Sequence, residues 1–258
     1  MSAAVPLRVE GICKRFGGLQ ALKDVSFVAP AGKITGLVGQ NGAGKTTLIN
    51  VITRQLAPDA GEVFAGPRRI TRLAAHQVAG AGLARTFQQL RLFANMTCLE
   101  NVLLGLPKGR GESLAACLFT PGRVARQEAE DRAAARTILE AFGLGDRADA
   151  SAAGLSYGLQ KLLSLARLAA ARAEIVLIDE PTSGLSGEAV ERVASAVAHF
   201  RNEGKTVLLV EHDMDVLFAL SDHVVVLDQG QVLCQGTPAE IRTNNEVREI
   251  YLGKGHVA

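Results

Sequence analysis

The 258-residue sequence predicts an α/β fold: a mostly parallel sheet flanked by helices and interrupted midway by a helical insertion. Three observations carry this expectation. The apolar run 34–38 stops at a glycine-rich loop and gives way to a helical pattern over 45–52, the strand–loop–helix opening of a parallel sheet. The runs 175–179 and 206–211 are rich in Val, Leu and Ile and almost free of polar alternation, as strands buried on both faces are. Between about 89 and 154 no such run occurs; instead Ala135, Ile138, Leu139 and Phe142 fall at helical spacing within 122–142, a stretch rich in Ala, Arg and Glu.

Taken in order, segments 7–11 and 25–29 read as early strands, followed by strand 34–38 and helix 45–52. The insertion has glycine-rich loops around 108–112 and 142–145, and 148–154 is a loop of small residues too short to separate domains. Strand 175–179 leads to a helix over 188–201, and strand 206–211 to one over 214–220. The runs 223–228 and 231–234 flank Gln229-Gly230, a hairpin-like turn. The sequence has no internal repeat.

Composition narrows the function. Apolar residues make up 48% of the chain, enough to bury a core and to exclude disorder throughout. The 28 Lys and Arg nearly cancel the 26 Asp and Glu, and a net charge of +2 makes no electrostatic case for nucleic acid. Cys13, Cys98, Cys117 and Cys234 lie far apart, with neither metal-ligand spacing nor a disulfide framework, so a reducing compartment is expected. The N-terminus lacks a basic stretch followed by an apolar one, and every apolar run is too short to span a bilayer. Work at a membrane would therefore depend on a partner.

Gly39-Gln40-Asn41-Gly42-Ala43-Gly44-Lys45-Thr46 matches the Walker A pattern of a P-loop NTPase. Its glycines let backbone N–H groups converge on a phosphate without side-chain clash, and the following helix aims its positive end at the same place. Lys45 supplies a charge for the β- and γ-phosphates of ATP, and Thr46, or less readily Thr47, can ligate Mg²⁺. A plain glycine-rich turn is the bland alternative, and eight matching positions between a strand and a helix disfavour it. Downstream, Ile175-Val176-Leu177-Ile178-Asp179-Glu180 is an apolar strand ending in two acids, the Walker B arrangement. Asp179 is expected to hold Mg²⁺, directly or through water, and Glu180 to orient and polarise the attacking water. Acids at a strand end are commonly mere solvated surface; their order after Walker A, with Pro181-Thr182 breaking the strand, argues for the site.

Between these motifs, Leu155-Ser156-Tyr157-Gly158-Leu159-Gln160-Lys161 resembles the signature of ABC ATPases, usually Leu-Ser-Gly-Gly-Gln. The resemblance implies that Ser156 and Gly158 sit at a helix N-terminus and bind the γ-phosphate held by another subunit. Standing alone, Ser156 would read as an ordinary N-cap. Gln88, in Arg85-Thr86-Phe87-Gln88, matches the family's Q-loop glutamine, expected near Mg²⁺ and the reacting water. His212, in Val210-Glu211-His212-Asp213, matches the H-loop histidine that contacts the γ-phosphate and helps hold the water and Glu180. Ser183-Gly184-Leu185-Ser186 occupies the D-loop, where Asp is more usual than Ser186. Phe16, followed by Gly17-Gly18, fits either the aromatic that stacks on adenine or an ordinary core Phe.

The resemblance extends over 7–253 and implies a P-loop NTPase of ABC type with antiparallel N-terminal strands. Residues 1–88 and 155–253 would form a RecA-like core with a β subdomain, and about 89–154 a helical subdomain continuing into the signature helix. Phe16-Gly17-Gly18-Leu19, Arg91-Leu92-Phe93, Glu100-Asn101-Val102, Glu211-His212-Asp213-Met214, Gly236-Thr237-Pro238 and Tyr251-Leu252-Gly253 look like the ATPase subunits of branched-chain amino acid importers. Relatives serving urea or short amides share much of this pattern. The implied machine has two transmembrane permease subunits, a second related ATP-binding subunit paired head to tail, and a separate solute-binding protein, with this chain peripheral at the cytoplasmic face. Leu90, Leu92 and Phe93 are expected to line or support the groove that receives the permease. A soluble ABC ATPase acting on ribosomes or DNA is the main alternative; such proteins usually carry paired cassettes, a long coiled coil or basic extensions, which this sequence lacks. A non-hydrolysing switch is disfavoured because Lys45, Asp179, Glu180 and His212 are all present. The departures Leu159 and Ser186 are expected to make the two ATP sites of a heterodimer unequal.

Overall fold

A computed structural model describes residues 4–86, 92–107 and 121–251. The chain divides into two compact units, one formed by Met1–Arg85, Ala173–Ser183 and Val197–Ala258, the other by Thr86–Arg172 and Gly184–Ala196.

The first unit holds two sheets. Strands β1 (Leu7–Phe16) and β2 (Leu19–Ala29) form an antiparallel hairpin; β1 also pairs with β4 (Ala60–Ala65), which pairs with β5 (Arg68–Arg69). The sequence segments 7–11 and 25–29 are thus only the apolar ends of two longer strands. Toward Phe16 and Leu19 the hairpin carries Lys14, Arg15 and Gln20 and shifts register repeatedly, which breaks the alternation a sequence reading depends on.

The second sheet has six strands in the order β10-β9-β3-β8-β7-β6. Here β3 is Ile34–Val38, β6 Leu83–Arg85, β7 Ile175–Asp179, β8 Thr206–Val210, β9 His223–Asp228 and β10 Gln231–Gly236. All neighbours pair in parallel except β10, which closes a hairpin on β9. The mostly parallel core with antiparallel N-terminal strands is as the sequence predicts. Every residue of β3, β7 and β8 is buried, which explains their unbroken apolar runs. β8 ends at Val210, one residue short of the predicted strand end.

Side-chain alternation divides the core. Leu37, Leu177, Leu208, Val225 and Leu227 join Leu48, Ile49 and Ile52 of helix α1 (Lys45–Ile52) and the buried face of β1, β2 and β4 in one cluster. Val38, Val224 and Val226 point the other way and pack with Leu217 of α7 (Met214–Leu220), Ile241 of α8 (Pro238–Thr243) and Val247 of α9 (Asn245–Tyr251). A short α2 (Ala75–Ala79) precedes β6.

The second unit is helical among its described residues: α3 (Cys98–Leu103), α4 (Pro121–Ala141) and α5 (Tyr157–Ala170) pack on one another. A capping box starts α3, with Thr97 Oγ1 accepting from the Glu100 N–H at 3.1 Å and a Glu100 carboxylate oxygen accepting from the Thr97 N–H at 2.8 Å. Helix α6 (Glu188–Asn202) contributes residues to both units. Among the described residues no helix is long and apolar enough to cross a membrane.

Candidate functional site

β3 delivers the chain into the loop 39–44 at the centre of the six-stranded sheet. A Cβ on Gly39 would lie 2.5 Å from the Leu227 carbonyl oxygen and 2.9 Å from the Ala43 Cβ, so the first turn of the loop admits only glycine. A Cβ on Gly44, whose φ is 102°, would meet the Ala21 carbonyl oxygen at 2.8 Å. The loop is closed by the Ala43 N–H donating to the Gln40 carbonyl at 3.1 Å, and α1 begins directly after it. Gln40, Asn41, Gly42 and Thr46 are exposed, Thr47 is half-buried and Ala43 is buried. The N-cap of α1 makes no side-chain hydrogen bond and its first turn holds no acid, so these backbone donors suit an external anion.

Lys45 folds back over this cradle. Its ammonium donates to the Gly39 carbonyl at 2.5 Å and the Gln40 carbonyl at 3.1 Å. Burial pulls its pKa below the usual lysine range, opposed by the charges of Glu180 and then Asp179.

The acids reach the same end of the sheet through strand pairing. Asp179 of β7 lies opposite Val210 of β8, and the Glu180 N–H donates to the Val210 carbonyl at 2.9 Å. The next residues of each strand therefore stand side by side, and His212 Nε2 lies 2.6 Å from Glu180 Oε1. Glu180 adopts a left-handed backbone, φ 48°, unusual for a residue with a side chain. Asp179 accepts from an Arg85 guanidinium nitrogen at 3.0 Å, and another nitrogen of Arg85 donates to Asn50 Oδ1 at 2.6 Å. Glu211, 2% exposed, accepts from the Thr182 N–H at 2.8 Å and the Thr182 hydroxyl at 2.7 Å. Its other oxygen accepts from the His212 N–H at 3.2 Å. Burial pushes the Glu211 carboxyl above its usual range, against the opposing bonds from Thr182 and His212; the Glu180 charge adds to the rise.

Sequence reading assigned no part in the site to Asn50, took Thr182 only as part of the break after the strand, and took Arg85 and Glu211 only as parts of a resemblance. Each acts through a partner distant in sequence, so no local spacing marks it.

The donor set fits Mg²⁺ beside a polyphosphate. Among the described residues no cluster of three or more His, Cys, Asp or Glu could hold a metal by itself. Mg²⁺ typically takes one or two carboxylates together with substrate phosphates; Asp179 can provide the carboxylate and Thr46 a hydroxyl oxygen, next to a cradle for the phosphates. Gln88, Phe87, Leu90 and Arg91 lie outside the described residues, as does the predicted loop at 108–112.

Phe16 ends β1 and is 48% exposed, with the Lys14 ammonium 5.7 Å from its ring centroid. It is not a core residue. In the other unit, Ser156 occupies the N-cap position of α5 with its hydroxyl uninvolved in capping, and the Gln160 N–H donates to its carbonyl at 2.9 Å. Gly158 follows in the first turn, where a Cβ would come within 3.4 Å of Ala189. Tyr157 is exposed, its ring 5.5 Å from the Lys161 ammonium, and Leu159 is half-buried. Phe93 is 51% exposed, while buried Asn101 holds its backbone, accepting from the N–H at 2.9 Å and donating to the carbonyl at 3.1 Å.

Residues 22–183 match the family described as ABC transporter, and 231–257 match the C-terminal family described as branched-chain amino acid ATP-binding cassette transporter. The high-affinity branched-chain amino acid transport ATP-binding protein LivG of Salmonella typhimurium is 41% identical over 251 residues, covering 96% of this chain and 98% of that one. BraF of Pseudomonas aeruginosa, of the same description, is 38% identical over 249 residues, with the same coverage. A crystal structure of a nucleotide-free ATP-binding cassette from an ABC transporter superposes with a TM-score of 0.81 at 33% identity, covering 96% of this chain and 99% of that one.

Proposed function

The chain belongs to the ABC transporter family, and from that premise we propose that it is the ATP-hydrolysing subunit of a membrane importer whose cargo is a branched-chain amino acid. The observation that carries the hydrolysis reading is the meeting of Glu180, His212 and Lys45 at one end of one sheet. The cargo rests on the branched-chain amino acid transport of the LivG and BraF relatives and on the C-terminal match.

In this reading the loop 39–44 and the first turn of α1 hold the phosphates of ATP. Lys45 trades its loop carbonyls for phosphate oxygens. Asp179 and Thr46, with Gln88, hold Mg²⁺, which neutralises charge on the phosphates when bound. Glu180 accepts a hydrogen bond from the attacking water and draws its proton toward the carboxylate. His212 fixes that carboxylate through Nε2 and offers its exposed face to the γ-phosphate. Phe16 stacks on adenine. Ser156 and Gly158 complete the site of a neighbouring cassette.

The partners are two transmembrane permeases, a second related cassette and a solute-binding protein, and the chain sits peripherally at the cytoplasmic face. Residues 1–88 and 155–253 act as the RecA-like core with its β subdomain, and about 89–154 as the helical subdomain. The test is reconstitution of the cassette pair with its permeases and binding protein in ATP-loaded vesicles, with uptake of leucine, isoleucine, valine and urea compared. Branched-chain uptake that Lys45→Ala abolishes is expected. ATP-driven uptake of urea alone would overturn the cargo.

A further inference from the structure

We infer that Glu211 is a positioning residue for ATP hydrolysis, locking the segment that carries Glu180 to the segment that carries His212. This rests on the hydrolysis reading above and assigns it a part held by neither Walker motif. The carboxylate closes a ring. Glu180 leads through Pro181 to Thr182, whose N–H and hydroxyl both donate to one Glu211 oxygen at 2.8 and 2.7 Å. The other Glu211 oxygen accepts the His212 N–H at 3.2 Å, and His212 Nε2 returns to Glu180 Oε1 at 2.6 Å.

A carboxylate is the group this place needs. Three donors converge on it, and an ionised carboxylate accepts at both oxygens and donates at neither. The isosteric amide of Gln has one acceptor; if its oxygen faces Thr182, its NH₂ faces the His212 N–H, donor against donor. None of the hydrogen-bond partners described for Glu211 is a cation, so an ionised side chain 2% exposed costs stability that a neutral residue would not. What offsets that cost is the set of groups it holds in place. What it holds is a strained element: Glu180 at φ 48° persists only where its surroundings over-determine it. Bonds described on that turn also include the Glu180 N–H to the Val210 carbonyl, 2.9 Å, and the Ser183 N–H to the Glu180 carbonyl, 3.3 Å. Both fix the backbone of residue 180, and neither reaches His212. The side chain of His212 is 49% exposed, so little packing restrains it beyond this ring.

A positioning role separates catalysis from binding, because the phosphate cradle is built by other residues. The experiment measures kcat and the affinity for Mg-ATP in Glu211→Gln and Thr182→Val, each also in a His212→Ala background. Glu211→Gln should lower kcat about 10- to 100-fold, as a misplaced catalytic group does, with affinity within about threefold of wild type. Thr182→Val, which removes only the hydroxyl bond, should lower kcat about 3- to 10-fold. In the His212→Ala background Glu211→Gln should cost no more than about threefold further, since its effect runs through His212. A Glu211→Gln enzyme with wild-type kcat overturns the inference, as does a loss in affinity matching the loss in kcat, or full additivity with His212→Ala. Should Glu211→Gln fail to fold, Thr182→Val decides by the same criteria. A wild-type chain without ATPase activity in the assembled transporter would defeat the hydrolysis reading itself, a different outcome from any of these.

Discussion

Replacing Glu180 by Ala and by Gly separates its backbone from its carboxylate. Both variants lose the acid, and both lose the 2.6 Å contact with His212, so those losses cancel between them. What remains is the conformation at φ 48°. A left-handed backbone costs a residue with a Cβ about 1–2 kcal/mol, and Gly escapes it. Against this, Gly loses about 0.5–1 kcal/mol more conformational entropy than Ala on folding. The balance favours Glu180→Gly over Glu180→Ala by about 0.5–1 kcal/mol, the reverse of the order at an ordinary position. For a chain of this size that is a difference of about 1–4 °C in Tm. Urea and thermal unfolding of the two variants without nucleotide measure it, and ATPase rates of the same preparations should both fall at least ~100-fold. A Gly variant less stable than the Ala variant would refute the strained turn on which the brace by Glu211 depends. Near-normal hydrolysis in either would refute the role of Glu180.

Gly39→Ala places a Cβ 2.5 Å from the Leu227 carbonyl, against backbone that is paired within the sheet, so we expect lower Tm and at least ~10-fold weaker ATP binding; unchanged affinity would count against the cradle. Phe93 is 51% exposed, so Phe93→Glu should leave thermal melts and ATP binding near wild type while uncoupling transport; a collapse in Tm would mean that Phe93 serves packing instead. Cys98 is fully buried and its thiol is pushed up by desolvation, which lowers both access and thiolate fraction. Native alkylation at Cys98 should therefore run on the order of 100-fold slower than at half-buried Cys13, and equal rates would show the helical unit opening freely.

The parts of the fold legible in the sequence are those where burial on both faces erased alternation. β3, β7 and β8 stand out as apolar runs because every one of their residues is covered. The glycine loop was legible for a related reason: Gly39 and Gly44 sit where a side chain would strike a carbonyl, and such positions leave a mark in composition. The β1–β2 hairpin was half visible, because its bulges and the polar residues Lys14, Arg15 and Gln20 disturb the period. β6 has only three residues, too few for any periodicity, yet it carries Arg85 to Asp179. Phe16 shows the limit of a residue-type argument, since nothing in a hairpin sequence distinguishes a buried aromatic from one 48% exposed.

The candidate site resisted local reading because strand register assembles it. Pairing Asp179 with Val210 sets Glu180 beside the chain that continues into Glu211 and His212, however long the connection through α6. A slip of one residue between β7 and β8 would turn the other face of β8 toward each position of β7 and withdraw either His212 or Glu211 from its partner. Register is set by the apolar faces of strands buried on both sides, so the core packing of Leu177 and Leu208 decides whether two polar residues beyond the strand ends can meet. Walker B thus specifies where an acid stands along one strand, and the neighbouring strand specifies what stands next to it. Glu211 belongs to that second kind of information. It precedes a recognisable histidine, carries no motif of its own, and acquires its two Thr182 donors only once β7 and β8 are in register.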